Sequence, residues 1–247
     1  MNKNTIIENC KKLLHAYKTW KLWYMKMPED ANPWFSQNEK EICLTYFTLP
    51  MALNYQRNSY KLRESVLQTY NDLETKDVFD IALSSKMSEQ ELREKLLKYK
   101  IALQPNKHIQ TRKKISTTIE TNRWSMENLF LFVQNDFLKL KELIQKEYKK
   151  WFPYLSWPKI FNYWSFIMQE YWDIKLKNSE YIDIAPDTHI TKCSVKLCVI
   201  TEEEAEHLTK EKISEKWREI LQWTWINPID MHPPLWFRSR NNFMFEL

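Results

Sequence analysis

The sequence predicts an all-α fold of about ten helices joined by short connections. Three observations carry that reading. Apolar residues recur at helical spacing along nearly the whole chain. No run alternates apolar and polar residues as a half-buried strand would. Prolines and Ser/Thr-x-x-Glu pairs sit where the helical runs stop and start.

In chain order, Ile6, Ile7, Cys10, Leu13, Leu14 and Tyr17 form the first apolar stripe. Pro28, Asn32 and Pro33 mark a loop. A second helix starts near Asn38, carries Ile42, Tyr46 and Phe47, and is interrupted or kinked at Pro50. The helical pattern resumes over 51–70. Ser88 and Glu91 have capping-box spacing, with Leu92, Leu96, Tyr99 and Leu103 following on one face until Pro105. A short basic helix is expected over 106–121, and the longest one over 126–149, burying Leu129, Phe132, Val133, Phe137, Leu140 and Ile144. Pro153 and Pro158 bracket a tight turn into a helix that reaches about Gln169. Residues 173–186 read as irregular, and a helix opens after Asp187. Thr201 and Glu204 make a second capping box, before a helix to about Leu221. Pro228, Pro233 and Pro234 break up the C-terminal part.

Composition narrows the function classes. The chain has 247 residues, 43% hydrophobic and 28% charged, which suits one large domain or two small ones around a real core. No run approaches the roughly 18 apolar residues of a membrane span. The first thirty residues carry no apolar signal-peptide core. Cys10, Cys43, Cys193 and Cys198 sit at unpatterned spacings, so neither a disulfide framework nor a metal-binding Cys pair is expected, and a reducing cytosol fits best. The net charge of +5 permits a nucleic-acid partner without requiring one.

Glycine is absent and tryptophan numbers 12. Without glycine there is no GxGxxG dinucleotide turn, no P-loop and no GxSxG elbow, which disfavours nucleotide-binding folds and hydrolases built on them. Left-handed turns must be served by Asn, Asp or a strained residue.

Two segments carry candidate chemistry. In 151–164, Trp-Phe-Pro-Tyr-Leu-Ser-Trp-Pro-Lys-Ile-Phe-Asn-Tyr-Trp, a turn runs into a helix with Lys159 in its first turn. The positive helix end and partial burial would favour a neutral, nucleophilic amine there. In 182–195, Asp187 follows a proline and precedes an amphipathic helix, as an N-cap does.

Taken together, Leu-Ser-x-Pro-Lys-Ile-x-Asn and Pro-Asp-Thr-His-Ile resemble the helix-hairpin-helix DNA glycosylase superfamily, the group of endonuclease III and the 8-oxoguanine glycosylases. Lys159, Ile160, Phe161 and Asn162 match its Lys-x-x-Asn part, and Asp187, Thr188 and His189 its Asp-Thr-His part. The stretch from Trp217 to Arg240 is similar to the end of the archaeal 8-oxoguanine enzymes, and Gln56 stands where endonuclease III has a duplex-entering Gln.

The resemblance implies two helical subdomains with the site in the cleft between them. One, over 38–172, would carry the hairpin and Lys159, and the other, 1–37 plus 173–247, would carry Asp187. It implies a glycosylase and lyase that flips a damaged purine, 8-oxoguanine first, out of duplex DNA. Lys159 would form the Schiff base, and Asp187 would stabilise developing positive charge. Gln56, Ser156, Trp157, Pro158, Thr188, His189 and Lys113 would contact DNA. Trp164 and Trp236 are the candidates to stack on the flipped base. The basic cluster Lys107, His108, Arg112, Lys113 and Lys114 offers further backbone contacts. No cofactor, metal or membrane partner is implied, and the expected state is a cytoplasmic, nucleoid-associated monomer.

The pattern departs from the family in three places. The hairpin glycines are missing, with Trp157 where Gly would let a phosphate approach. Asp187 follows Lys159 by 28 residues (187 − 159), an interval longer than in endonuclease III and extended in the direction of the archaeal enzymes. No cysteine follows Cys198, so no iron–sulfur cluster is expected. Trp157, Trp223 and Trp225 all stand at turn positions where the look-alikes carry Gly. One cause covers both anomalies if a codon read as Trp specifies Gly in the source organism. An intact mass from natively produced protein that matches the chain with its tryptophans would refute this. Two further readings are a DNA-binding protein of the same fold with impaired catalysis, and a helical interaction protein with no nucleic-acid role.

Overall fold

A computed structural model describes residues 2–54, 57–122, 124–172 and 174–247. The fold is all-α. Among the described residues there is no β-strand, only one isolated parallel bridge between Asp136 and Lys177. Thirteen α-helices succeed one another: α1 (Lys3–Lys18), α2 (Lys40–Leu53), α3 (Ser59–Asn71), α4 (Ile81–Lys86), α5 (Glu89–Lys98), α6 (Pro105–Thr121), α7 (Met126–Phe132), α8 (Phe137–Glu142), α9 (Pro158–Trp172), α10 (Thr188–Lys196), α11 (Glu202–His207), α12 (Lys210–Leu221) and α13 (His232–Arg240). A π turn over Leu143–Glu147 prolongs α8.

Local chemistry starts most of these helices. Side chains of Asn2, Asn58, Asp80, Ser88, Ser125, Asp136, Asp187, Thr201 and Thr209 each accept a backbone N–H of the first turn, a cap worth about 1 kcal/mol. Thr201 and Glu204 form the reciprocal box, at 3.1 and 2.9 Å. The count exceeds ten because two expected helices are split and two short ones, α4 and α13, form where no separate helix was expected. The 126–149 run breaks where Gln134 and Asn135 turn left-handed (φ 58° and 50°), and Asp136 then caps α8. The run after Thr201 breaks before Thr209, which caps α12. Pro50 lies inside α2, which continues to Leu53. Leu103 is exposed rather than on the buried stripe of Leu92 and Leu96, because α5 ends at Lys98.

The lack of glycine leaves a mark on the backbone. Eleven described residues have positive φ, and Asn supplies only three of them, Asn135, Asn178 and Asn242. Trp20 is one of the others (φ 57°), at the position after the α1 C-cap. Its N–H donates to Tyr17 O (3.1 Å) and the N–H of Lys21 to Ala16 O (2.8 Å), the Schellman pattern that ordinarily takes Gly. The Trp20 side chain is 78% exposed. Trp20→Gly is therefore expected to raise stability by about 1 kcal/mol, from the left-handed cost of a Cβ less the entropy of glycine. Urea midpoints at constant slope would show it. Trp223 also has positive φ (68°), but Trp157 and Trp225 do not. At those two turns the backbone does not call for glycine, and Trp157→Gly is expected to give no such gain.

The chain folds as two compact units, Met27–Lys177 and Met1–Lys26 with Asn178–Leu247. The limits fall outside the expected 38 and 172 for physical reasons. Glu29 is buried against Arg63, and Tyr46 OH donates to Ala31 O at 2.9 Å, which draws 27–37 into the first of these units. Phe137 N donates to Lys177 O (3.0 Å) and Lys177 N to Asn135 O (2.7 Å), which holds residue 177 there as well.

The Met27–Lys177 unit is built around α2, buried without interruption from Cys43 to Leu53 and packed against α3, α6, α7 and α9. Tyr46, Tyr70, Phe79 and Phe35 meet at ring distances of 5.2–5.7 Å. The second unit packs α1 against α12 and α13, and α10 against α11 and α13. Leu13, Leu14, Ile190, Trp217, Leu235 and Phe237 fill its core, with Trp217 Nε1 donating to Ser194 Oγ at 2.8 Å.

Candidate functional site

The hairpin lies between the π turn and α9. Tyr148 N donates five residues back to Leu143 O (2.8 Å), and the chain then folds tightly. Leu155 N reaches Pro153 O (2.7 Å), Ser156 N reaches Phe152 O (2.9 Å), and Trp157 N reaches Tyr154 O (2.9 Å). Phe152 and Leu155 anchor the turn in the core, while Tyr154 takes positive φ (60°) and its ring lies 4.9 Å from that of Trp157. Three hairpin amides are thus used inside the turn, and Pro158 has none. Ser156 is buried, with its hydroxyl 3.4 Å from Lys149 O, so its side chain does not face outward as a DNA contact would. Trp157 and Pro158 are exposed.

Lys159 stands in the first turn of α9 and is exposed, so the burial expected to activate its amine is not provided by this unit. The opposite face of α9 is core. Asn162 is buried there, with Oδ1 lacking a hydrogen bond. Trp164 is fully buried, stacked on Phe130 at 5.4 Å, with Nε1 donating to Thr48 Oγ1 at 2.9 Å. As the seventh residue of α9 it falls on the inward stripe, and it is not a stacking platform for a base.

The basic cluster on α6 separates into different roles. Arg112 is buried and donates to Val78 O (2.6 Å) and Ser84 Oγ (2.9 Å); burial lowers its pKa to about 10 against the pull of Asp80 and Glu41. Lys113 donates to the carbonyls of Ser85 (2.7 Å) and Met87 at the end of α4, where a cation suits the helix dipole. It is therefore a helix clamp, not a DNA contact. His108 is buried, and its Nδ1 accepts from Leu103 N at 3.1 Å. Lys107 and Lys114 alone of the cluster are exposed. Gln56 lies outside the described residues.

Burial and the nearby Arg57 push the His108 pKa down to about 4. Between the ordinary value of 6.5 and about 4 the unfolded chain binds the proton and the folded chain does not. Stability contributed by neutral His108 is complete above that window and falls as pH drops through it. Urea midpoints should decline across pH 6.5–4, and His108→Asn, which keeps an acceptor at the δ position, should flatten that slope.

Asp187 belongs to the other unit, as the N-cap of α10. Oδ1 accepts from Ile190 N at 2.9 Å, and its carbonyl accepts from Thr191 N and Oγ1. Oδ2 accepts from Trp236 Nε1 at 3.2 Å. Trp236 is buried, edge-on to His189 (5.5 Å) and Phe237 (5.3 Å), with the Arg240 guanidinium 5.0 Å from its ring centroid. It is a partner that orients the carboxylate, not an open ring for a base. Thr188 is exposed and His189 half-buried, with Nδ1 3.2 Å from Ser239 Oγ. Burial holds the His189 pKa below 6.5, opposed by Asp187 and aided by Arg240 and Lys192. Ser239 and Arg240 join this site from about fifty residues away in sequence (239 − 189 = 50), and no local pattern announced them.

Among the described residues no three His, Cys, Asp or Glu side chains converge as a metal site, and no helix is long and apolar enough to cross a membrane. No family model matches the chain, and neither the curated proteins nor the solved structures contain a match.

Proposed function

We propose that the chain is a DNA glycosylase with lyase activity, acting on a damaged purine in duplex DNA with 8-oxoguanine as its first substrate. The observation that carries this reading is Lys159, exposed in the first turn of α9 directly after the hairpin that α8 and its π turn lead into. Further support comes from the Asp187 carboxylate, held at both oxygens by Ile190 N–H and the Trp236 indole.

In this reading the Lys159 amine, once it has given up its proton, attacks C1′ of the flipped nucleotide. The glycosidic bond breaks, and its electron pair leaves with the base, which takes up a proton. Asp187 stabilises the positive charge that develops on the sugar. Opening of the sugar gives an imine between Lys159 and C1′. Loss of a proton from C2′ then expels the 3′ phosphate, and water releases the lysine.

Borohydride trapping on a duplex with one 8-oxoguanine opposite cytosine tests it. A covalent complex is expected that disappears in Lys159→Gln. No complex from folded wild-type protein overturns the reading. One feature favours a DNA-binding protein without catalysis instead: the Trp157 indole, 47% exposed beside Pro158, occupies the surface where a phosphate would approach the turn. Salt-dependent DNA binding without trapping is the signature of that protein.

A further inference from the structure

We propose that a groove between α6 and the hairpin, lined by Lys107, Lys114, Lys149 and Lys150, holds a phosphodiester strand of nucleic acid. It lies within the Met27–Lys177 unit and encloses about 660 Å³. This inference rests on the nucleic-acid partner of the proposed function but not on the chemistry of Lys159.

Charge is the first argument. No Asp or Glu occurs among the described residues lining the groove. Elsewhere on the same unit some lysines are ion-paired, Lys40 with Glu127 (2.6 Å), Lys98 with Asp72 and Glu74 (both 2.7 Å) and Lys146 with Glu142 (2.6 Å). Others such as Lys61, Lys86 and Lys175 are exposed and outside every ion pair among described residues, so the groove is set apart by four lysines sharing one concavity. None of the ion pairs among described residues involves the four groove lysines. Lys146, one turn before Lys149 and Lys150, pairs with Glu142 and lies outside the groove lining. Four like charges facing one concavity repel each other, and a polyanion relieves that repulsion.

Shape and spacing are the second. Lys107 and Lys114 lie two turns apart on one face of α6, about 10 Å along its axis. That matches about three base-pair steps of roughly 3.4 Å along the axis of a duplex. The opposite wall presents the Tyr154 and Trp157 rings, to which a base can stack. A membrane surface is flat and does not follow a walled groove, and an acidic peptide has no use for the rings.

The full chain would be titrated by fluorescence anisotropy against a labelled undamaged duplex and a labelled oligothymidine, at several salt concentrations. Lys107→Ala/Lys114→Ala and Lys149→Ala/Lys150→Ala are each expected to weaken binding about tenfold or more at low salt. Each pair should lower the slope of log K against log salt by about 1.8 on duplex or about 1.4 on single strand, and the probe on which that fall is seen is the form the groove takes. Lys12→Ala/Lys21→Ala, at exposed positions of the other unit with the same loss of charge, is the control and should change little. Unchanged binding in both groove variants overturns the proposal. So does an equal loss in the control, or equally tight binding of polyglutamate. If groove variants bind normally while wild-type protein is trapped on the lesion duplex, the groove falls and the glycosylase stands. Loss of binding in the groove variants with no wild-type trapping has the opposite meaning.

Discussion

Asp187→Asn is expected to slow excision from the lesion duplex by about 10²–10³-fold, the usual loss when one preorganised electrostatic partner of a charged transition state is removed. Asparagine is the informative choice because it caps helices as well as aspartate does. Its single side-chain oxygen can keep the bond to Ile190 N, so α10 still starts at Thr188. It cannot also replace Oδ2, and the buried Trp236 N–H then faces a donor. That orphaned donor costs about 1–3 kcal/mol, which Trp236→Phe in the same chain should largely restore without restoring activity. Asp187→Ala loses the charge and the cap together and should be less stable than the Asn/Phe double variant. Single-turnover excision and urea unfolding on this series separate the two roles. An Asn variant with wild-type excision would remove Asp187 from the chemistry.

Arg63→Met is expected to destabilise the Met27–Lys177 unit by about 3–5 kcal/mol. Arg63 Nη2 meets Glu29 Oε1 at 2.9 Å, and the two side chains are only 2% and 3% exposed. Tyr163 OH donates to the other Glu29 oxygen at 3.1 Å. Removing the guanidinium leaves a carboxylate in the interior with no cation beside it, and that uncompensated charge sets the size of the loss. Replacing the whole group is a different experiment. Glu29→Leu/Arg63→Met/Tyr163→Phe exchanges it for apolar volume and should recover most of the stability. Urea unfolding of the two chains checks this. Equal losses in both would mean that packing, not charge, dominates the site.

Much of the fold was legible because helices are written locally. Spacings such as Thr201 to Glu204, or Asp187 to the N–H of Ile190, close within three residues and can be read directly. Breaks inside long helices were harder. Gln134 and Asn135 interrupt the 126–149 run with left-handed backbone: Gln does not announce it, Asn tolerates it but is common in other backbone too, and glycine, the stronger marker, is absent. The candidate site was legible to the same extent. The helix start at Lys159 and the cap at Asp187 were readable from punctuation. The state of the Lys159 side chain was not, and it is exposed where burial was expected.

What each candidate touches was decided by tertiary packing. Five basic residues between 107 and 114 look alike in sequence, yet Arg112 and Lys113 are spent on carbonyls of 78–87, His108 is buried, and only Lys107 and Lys114 face outward. Trp164 and Trp236 are both indoles on helices. One bonds Thr48 in a core 116 residues back, and the other bonds Asp187, 49 residues back. Helical periodicity specifies which face of a segment turns inward, because that depends on neighbours three and four residues away. It does not specify what covers that face, because the covering atoms come from distant segments whose approach is set by volume, charge and unsatisfied polar groups in the whole core.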